Sequence, residues 1–253
     1  INKIHGKSDL IYSANTISHI HDLKDALQSI NLILNDDGVF ILEDPSLLEV
    51  IKNTSYDQFY DEHAYVFSIL ALNNLLQETE LEIFDIEKLT THGGSNRVFI
   101  KKKKSNKTIN DNVIEIINEE LNMGMDKFET YQKFAQNVIN SKNETIKIFT
   151  ELKKKNAKII GYGATYKSST ILNYCGLDTK FIDYFTDTTE NKQGKFTPGT
   201  HIPIFKPTDE INLEINHIFL GAWNFKKEIF NKEKKFIERG GKFISHVPYP
   251  QII

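Results

Sequence analysis

The run Tyr60-Asp61-Glu62-His63, set between Asp57-Gln58-Phe59 and Ala64-Tyr65-Val66-Phe67-Ser68, places a phenol, two carboxylates and an imidazole among aromatic residues suited to burial. This is an inventory for proton transfer. Imidazole changes charge near neutral pH, and an adjacent carboxylate fixes its tautomer or raises its pKa, so the pair suits general acid/base work. The competing reading of the same tetrapeptide is a helix start with solvated acids and one packed histidine. The rest of the chain has to decide between them.

Composition removes several function classes. With 253 residues, 40% hydrophobic and 11% aromatic, the chain can bury one large or two ordinary cores. A net charge of -3 and a pI near 6.3 provide no basic field for nucleic acid, and Lys101-Lys102-Lys103-Lys104 reads as a solvated strand end or linker. The single cysteine, Cys175, excludes an internal disulfide and a cysteine-only zinc site, and points to a reducing compartment. No apolar stretch reaches the roughly 18 residues needed to span a bilayer, and the N-terminus shows no signal segment, so no membrane partner and a cytoplasmic location are expected.

Two α/β units are legible. In the first, the strand Ser8 to Ser13 ends at Ala14-Asn15. Asp22 caps a helix with Leu23, Ala26, Leu27, Ile30 and Leu34 on one face, Asp36-Asp37-Gly38 stops it, and Val39 to Leu42 forms the next strand. This order predicts a parallel pair, with ligands gathering at the carboxyl ends near Asn15, His19 and Glu43. A helix over 69–78, a strand over 82–89, the turn Gly93-Gly94-Ser95 and a strand over 96–100 would close that sheet with an antiparallel pair. Residues 111 to 155 read as long connecting helices.

The second unit starts with the strand 157–160, the loop Gly161-Tyr162-Gly163-Ala164-Thr165 and a helix from about Lys167 to Tyr174 stopped by Gly176. Further strands are expected over 181–185, 218–221 and 242–245, with a helix over 226–238. The glycine loop lies where backbone N–H groups would meet a phosphate. It fails as G-x-G-x-x-G at Tyr166, yet Asp183 stands about 20 residues beyond Gly163, where a ribose-binding acid belongs. The polar loop 187–203 carries Lys192 and the rigid Pro198-Gly199-Thr200-His201-Ile202-Pro203 turn. Trp223 reads as a base-stacking or core residue. His5, His21, His92, His217 and His246 have no metal-binding spacing, so no metal site is expected, and no G-x-S-x-G elbow supports a serine nucleophile.

Taken together, Asn15-Thr16-Ile17-Ser18-His19, Tyr60-Asp61-Glu62-His63 with Phe67-Ser68, His92-Gly93-Gly94-Ser95, Gly161 to Lys167 and Lys192-Gln193-Gly194 through Pro203 resemble the S-adenosylmethionine-dependent sugar C-methyltransferases over nearly the whole chain. The resemblance implies the second half of a class I methyltransferase sheet over 1–104, connecting helices over 105–156, and a complete C-terminal Rossmann-like nucleotide-sugar-binding domain over 157–253. It implies that the N-terminal zinc-binding region and the glycine-rich cofactor loop belong to a larger parent protein, which would supply S-adenosylmethionine binding. It implies methylation at C3 of a nucleotide-linked 4-keto deoxyhexose through an enolate, with His63 as base, Glu62 orienting it, Tyr60 and His19 on the enolate oxygens, and Asn15 beside the cofactor. Tyr162, Ala164, Thr165, Lys167, Ser168, Lys192 and His201 would hold the nucleotide-diphosphate sugar. The alternatives are a non-catalytic nucleotide-sugar-binding fragment and an NAD-dependent oxidoreductase built on Gly161 and Asp183. Oligomeric state is left open.

Overall fold

A computed structural model of the chain describes residues 6–208 and 211–253; His5 lies outside them. The chain divides into two compact units, one of residues 1–51 and 61–133, the other of residues 52–60 and 134–253. The helices expected as a connector are therefore shared between the two units.

In the first unit, β1 (Ser8–Ala14) runs into α1 (Leu23–Ile33), whose N-cap Asp22 accepts from Asp25 N. Leu23, Leu27 and Ile30 face the core, as the spacing predicts. The chain becomes extended at Leu34, so β2 (Leu34–Pro45) begins earlier than expected, and Asp36-Asp37-Gly38 lies within the strand, where pairing with β1 shifts register between Ser8 and Leu10. α2 (Leu47–Asn53) follows. α3 (Ile69–Gln77) is capped by Ser68 and leads to the hairpin β3 (Leu81–Leu89) and β4 (Ser95–Lys102).

The sheet order is β1-β2-β4-β3: β1 and β2 are parallel, and β4 is antiparallel to both its neighbours. α1 is the crossover that a parallel pair requires. α4 (Asp111–Asn122) packs Val113 and Ile116 into the same core, and its buried Glu120 accepts from Ile69 N at 2.9 Å and Leu70 N at 2.7 Å, satisfying the start of α3. The basic run is a solvated strand end only in its second half, Lys103 and Lys104, which are exposed. Lys101 and Lys102 are buried in β4, with Lys101 Nζ 2.7 Å from Glu82 and Lys102 Nζ 3.5 Å from Asp36.

α5 (Phe128–Lys154) carries Phe149 and Leu152 into the core of the second unit. There β5 (Ile159–Tyr162), α6 (Tyr166–Cys175), β6 (Phe185–Thr186), β7 (Ile204–Phe205), β8 (His217–Leu220), α7 (Lys226–Lys232), α8 (Lys234–Glu238), β9 (Lys242–Ser245) and β10 (Gln251–Ile252) follow. The sheet order β10-β9-β8-β5-β6-β7 is parallel except at β10, a doubly wound arrangement whose order reverses at β5. The strand expected over 181–185 shrinks to Phe185–Thr186. Asp178 O accepts from Phe181 N and Ile182 N, which keeps that stretch in a turn. Both units are mixed α/β, each built around one sheet. Among the described residues no helix is long and apolar enough to cross a membrane.

Candidate active site

The carboxyl ends of β1 and β2 lie side by side, joined by Asn15 N donating to Glu43 O at 2.8 Å, with Asn15 at a left-handed φ of 49°. A turn at Ile17–His19 follows and sends Ser18 inward and His19 outward. The returning chain is pinned to this turn twice: Tyr65 N donates to Ser18 O at 3.1 Å, and Tyr65 Oη donates to His21 O at 2.7 Å. These two bonds bring His63 to His19, with ring centroids 5.2 Å apart and planes at 48°. Two imidazoles 44 positions apart thus form one face of a site at a strand end. Glu62 is exposed beside them.

The two acids at the end of β2 have different surroundings. Glu43 receives Tyr12 Oη at 3.1 Å and Arg97 Nε at 3.0 Å, while Arg97 Nη1 reaches Glu87 at 2.9 Å, so the carboxylate is neutralised by a cross-sheet cation. Asp44 is buried, and its Oδ1 accepts from Ser18 Oγ at 2.6 Å, but its Oδ2 has no hydrogen-bond partner among the described residues. Burial pushes its carboxyl up to about 6, with Ser18 and the charge of His19 opposing the rise. Sequence reading singled out Glu43 and passed over Asp44. Both are strand-end acids, and burial, which no residue pattern shows, separates them.

The division between units falls between Tyr60 and Asp61, so Tyr60 counts with the second unit. Its ring stacks on Tyr166, with centroids 5.7 Å apart and planes at 14°.

In the second unit the loop after β5 sits at the sheet's reversal point. Its glycines serve packing: a Cβ on Gly161 would meet the Phe185 ring at 2.3 Å, and one on Gly163, at φ +83°, would meet Ala222 Cβ at 2.7 Å. Ala164 N donates to Asp187 Oδ2 at 2.8 Å. Thr165 caps α6 by accepting from Ser168 N, and its own hydroxyl donates to Gly221 O at 2.9 Å. Ser168 is buried and donates to Thr165 O. Lys192 Nζ closes the loop through Ala164 O at 2.8 Å and Asp187 Oδ2 at 3.3 Å. Lys167 turns inward, 6% exposed, with Nζ 5.2 Å from the centroid of the Trp223 ring, and burial lowers its pKa. His201 is exposed at φ 55°.

Two cavities flank Lys192. One, of about 290 Å³, is lined by Tyr162, Gly163, Thr165, Asp187 and Phe225; the other, of about 180 Å³, by Tyr166, Lys195, Phe196 and Pro198. The Tyr162 phenol is pushed up to about 12 by burial and by Glu233. Asp183 lies 3.6 Å from Lys153, and the acid that follows β6 is Asp187, whose oxygens already accept from Ala164 N and Thr189 N. At the strand end, Asp187 is thus engaged by the chain's own N–H groups. No group of three or more His, Cys, Asp or Glu side chains among the described residues is arranged to hold a metal ion.

Comparison with known proteins divides the chain between residues 86 and 90, within the first compact unit. A family described as a methyltransferase domain matches residues 2–86, and one described as the C-methyltransferase C-terminal domain matches residues 90–248. C-methyltransferase NovU from Streptomyces niveus is 33% identical over 249 residues, which cover 98% of this chain and 59% of NovU. The chain thus spans about three-fifths of the length of that relative. With one family matched over well beyond half its residues and a methyltransferase domain matched ahead of it, the chain belongs to the C-methyltransferases, through the family of their C-terminal domain.

Proposed function

We propose that this chain is the catalytic-base and substrate-holding part of an S-adenosylmethionine-dependent enzyme that methylates C3 of a nucleotide-linked 4-keto deoxyhexose. The observation that carries the reading is the His19–His63 pair, held at the carboxyl end of β1 in a chain matched end to end by methyltransferase sequence. A ketone at C4 acidifies the C3 proton, and a neutral imidazole is a suitable acceptor near pH 7. His63 takes that proton, Glu62 orients its ring, and His19 donates toward the enolate oxygen, where charge develops. Tyr60 supplies a second donor.

The strand-end groups fit the flank of a cationic cofactor: Asn15 stands beside Glu43, and Asp44 keeps a buried carboxylate oxygen without a hydrogen-bond partner. S-adenosylmethionine, when bound, supplies an electrophilic methyl group. Tyr162, Ala164, Thr165 and Lys192 border the cavities of the second unit and hold the nucleotide diphosphate there, Lys167 and Ser168 shape the loop from within, and the exposed His201 reaches the sugar nucleotide from the turn that follows. Catalysis in the cytoplasm fits such a substrate.

The test is methyl transfer together with solvent exchange of the C3 proton. His63→Asn should abolish both, because both need the same base. Full exchange without transfer in that variant would move the base to another group, His19 first.

A further inference from the structure

Residues 52–60 pack with the second unit although the chain on either side belongs to the first. Asp57 is the most deeply placed polar group of this excursion, fully buried. Its Oδ2 accepts from Trp223 Nε1 at 2.5 Å and lies 3.3 Å from His246 Nε2, close enough for an ion pair but not aligned as a hydrogen bond. Burial alone would push the carboxyl up; His246, Trp223 and Lys167 together outweigh it and hold the group below the usual carboxylate range.

The three partners come from three separate elements. Lys167 is in the first turn of α6, Trp223 follows β8 and His246 follows β9, so all three stand at the carboxyl rim of the sheet, where doubly wound domains hold anionic ligands. Lys167 Nζ also lies over the Trp223 ring. The anion at this place is one of the chain's own carboxylates.

The same excursion carries three aromatic residues. The Tyr56 ring meets Tyr174 edge-on at 5.5 Å, Phe59 lies 6.2 Å from Phe134, and Tyr60 stacks on Tyr166. Asp57 joins the excursion to the cationic rim, where the Tyr56 ring also meets His246 at 6.1 Å, and Tyr60 follows Asp57 by three residues.

We infer that Asp57 is a positioning residue: paired with Trp223 and His246, it anchors residues 52–60 on the rim of the second sheet and so sets the place of Tyr60 against Tyr166. The inference rests on the proposed methyl transfer only for its kinetic consequence. A carboxylate that positions a donor should be replaceable by a small anion, whereas one that merely fills space should not.

Trp223 is the chain's only tryptophan, so its emission reads the anchor without any turnover. In Asp57→Ala the emission should shift, and added formate should bring it back. The same variant should lose roughly 10²-fold in kcat with little change in KM, as expected for a group displaced by about 1 Å, and formate should restore kcat in step with the emission. Trp223→Phe, which keeps the carboxylate and removes the donor, should lower kcat in the same direction and serves if Asp57→Ala does not fold. Unchanged emission in Asp57→Ala would overturn the anchor, and emission restored by formate without kcat would overturn the positioning role. Were the unaltered protein to transfer no methyl group, the function reading would fall while the emission arm still decides the anchor.

Discussion

Asp44 in the first unit and Asp57 in the second are both buried near the carboxyl end of a sheet, and the two have opposite chemistry. Each leaves one buried carboxylate oxygen without a hydrogen-bond partner among the described residues, yet Asp44, with a single hydroxyl donor, is pushed up to about 6, whereas Asp57, more completely buried, is held low by an indole N–H, an imidazole and an ammonium. Depth of burial does not decide whether a carboxyl is ionised. What decides is the number of donors and cations that burial brings with it, since desolvation and compensation act in opposite directions on the same charge.

The comparison breaks most visibly if the compensation at Asp57 is removed. Asp57→Ala removes one partner of the fully buried Asp57–His246 pair and should cost about 3–5 kcal/mol in denaturant unfolding. Asp57→Asn, which keeps an acceptor for Trp223, should cost less. Equal losses would mean that the charge, not the hydrogen bond, is what matters there.

Asp44 gives the next effect, of opposite sign in pH. Its folded pKa lies above the unfolded 3.8, so its contribution to stability is fully present below pH 3.8 and is lost as pH rises through about 6, a change of up to about 3 kcal/mol. Asp44→Asn should flatten that limb of the stability profile and make the chain more stable at pH 7.5 than the unaltered one. The Asp57 contribution runs the other way, present above the unfolded pKa and lost as pH falls below it. A common acid limb for Asp44→Asn and the unaltered chain would show that Asp44 does not titrate as its burial requires.

Glu120 sharpens the same point inside the first unit. Burial raises its pKa while Leu70 N and Ile69 N oppose the rise, and Glu120→Ala leaves both N–H groups at the start of α3 unsatisfied. A loss of about 2 kcal/mol is expected by thermal unfolding. The exposed pair Lys24–Glu78, 3.1 Å apart, is the control: Glu78→Gln should change stability by less than about 0.5 kcal/mol, and the difference should vanish in high salt.

Much of the scaffold is legible in residue order because local rules set it. Asp22 before Leu23, the 3.6-residue spacing through Ile30 and the Gly93-Gly94 turn between alternating strands each report a conformation decided within a few residues. Lys101 and Lys102 were misread for the opposite reason: a lysine run is solvated unless a cross-strand acid and a covering turn exist, and Glu82 and Asp36 come from elsewhere in the chain. Gly161 and Gly163 suggested a phosphate loop, yet Phe185 and Ala222, distant in sequence, fill the space their missing side chains leave.

The sequence by itself determined the inventory: Tyr60, Glu62, His63 and His19 as acid/base groups, the crossover α1 that makes β1 and β2 parallel, and the second doubly wound sheet. These follow from side-chain chemistry and short-range periodicity. Only the tertiary structure decided that His19 meets His63, that burial raises the pKa of Asp44, and that Asp57 answers Lys167, Trp223 and His246. Pairing, desolvation and charge compensation depend on which distant residues share a low-dielectric space, and no linear pattern carries that information.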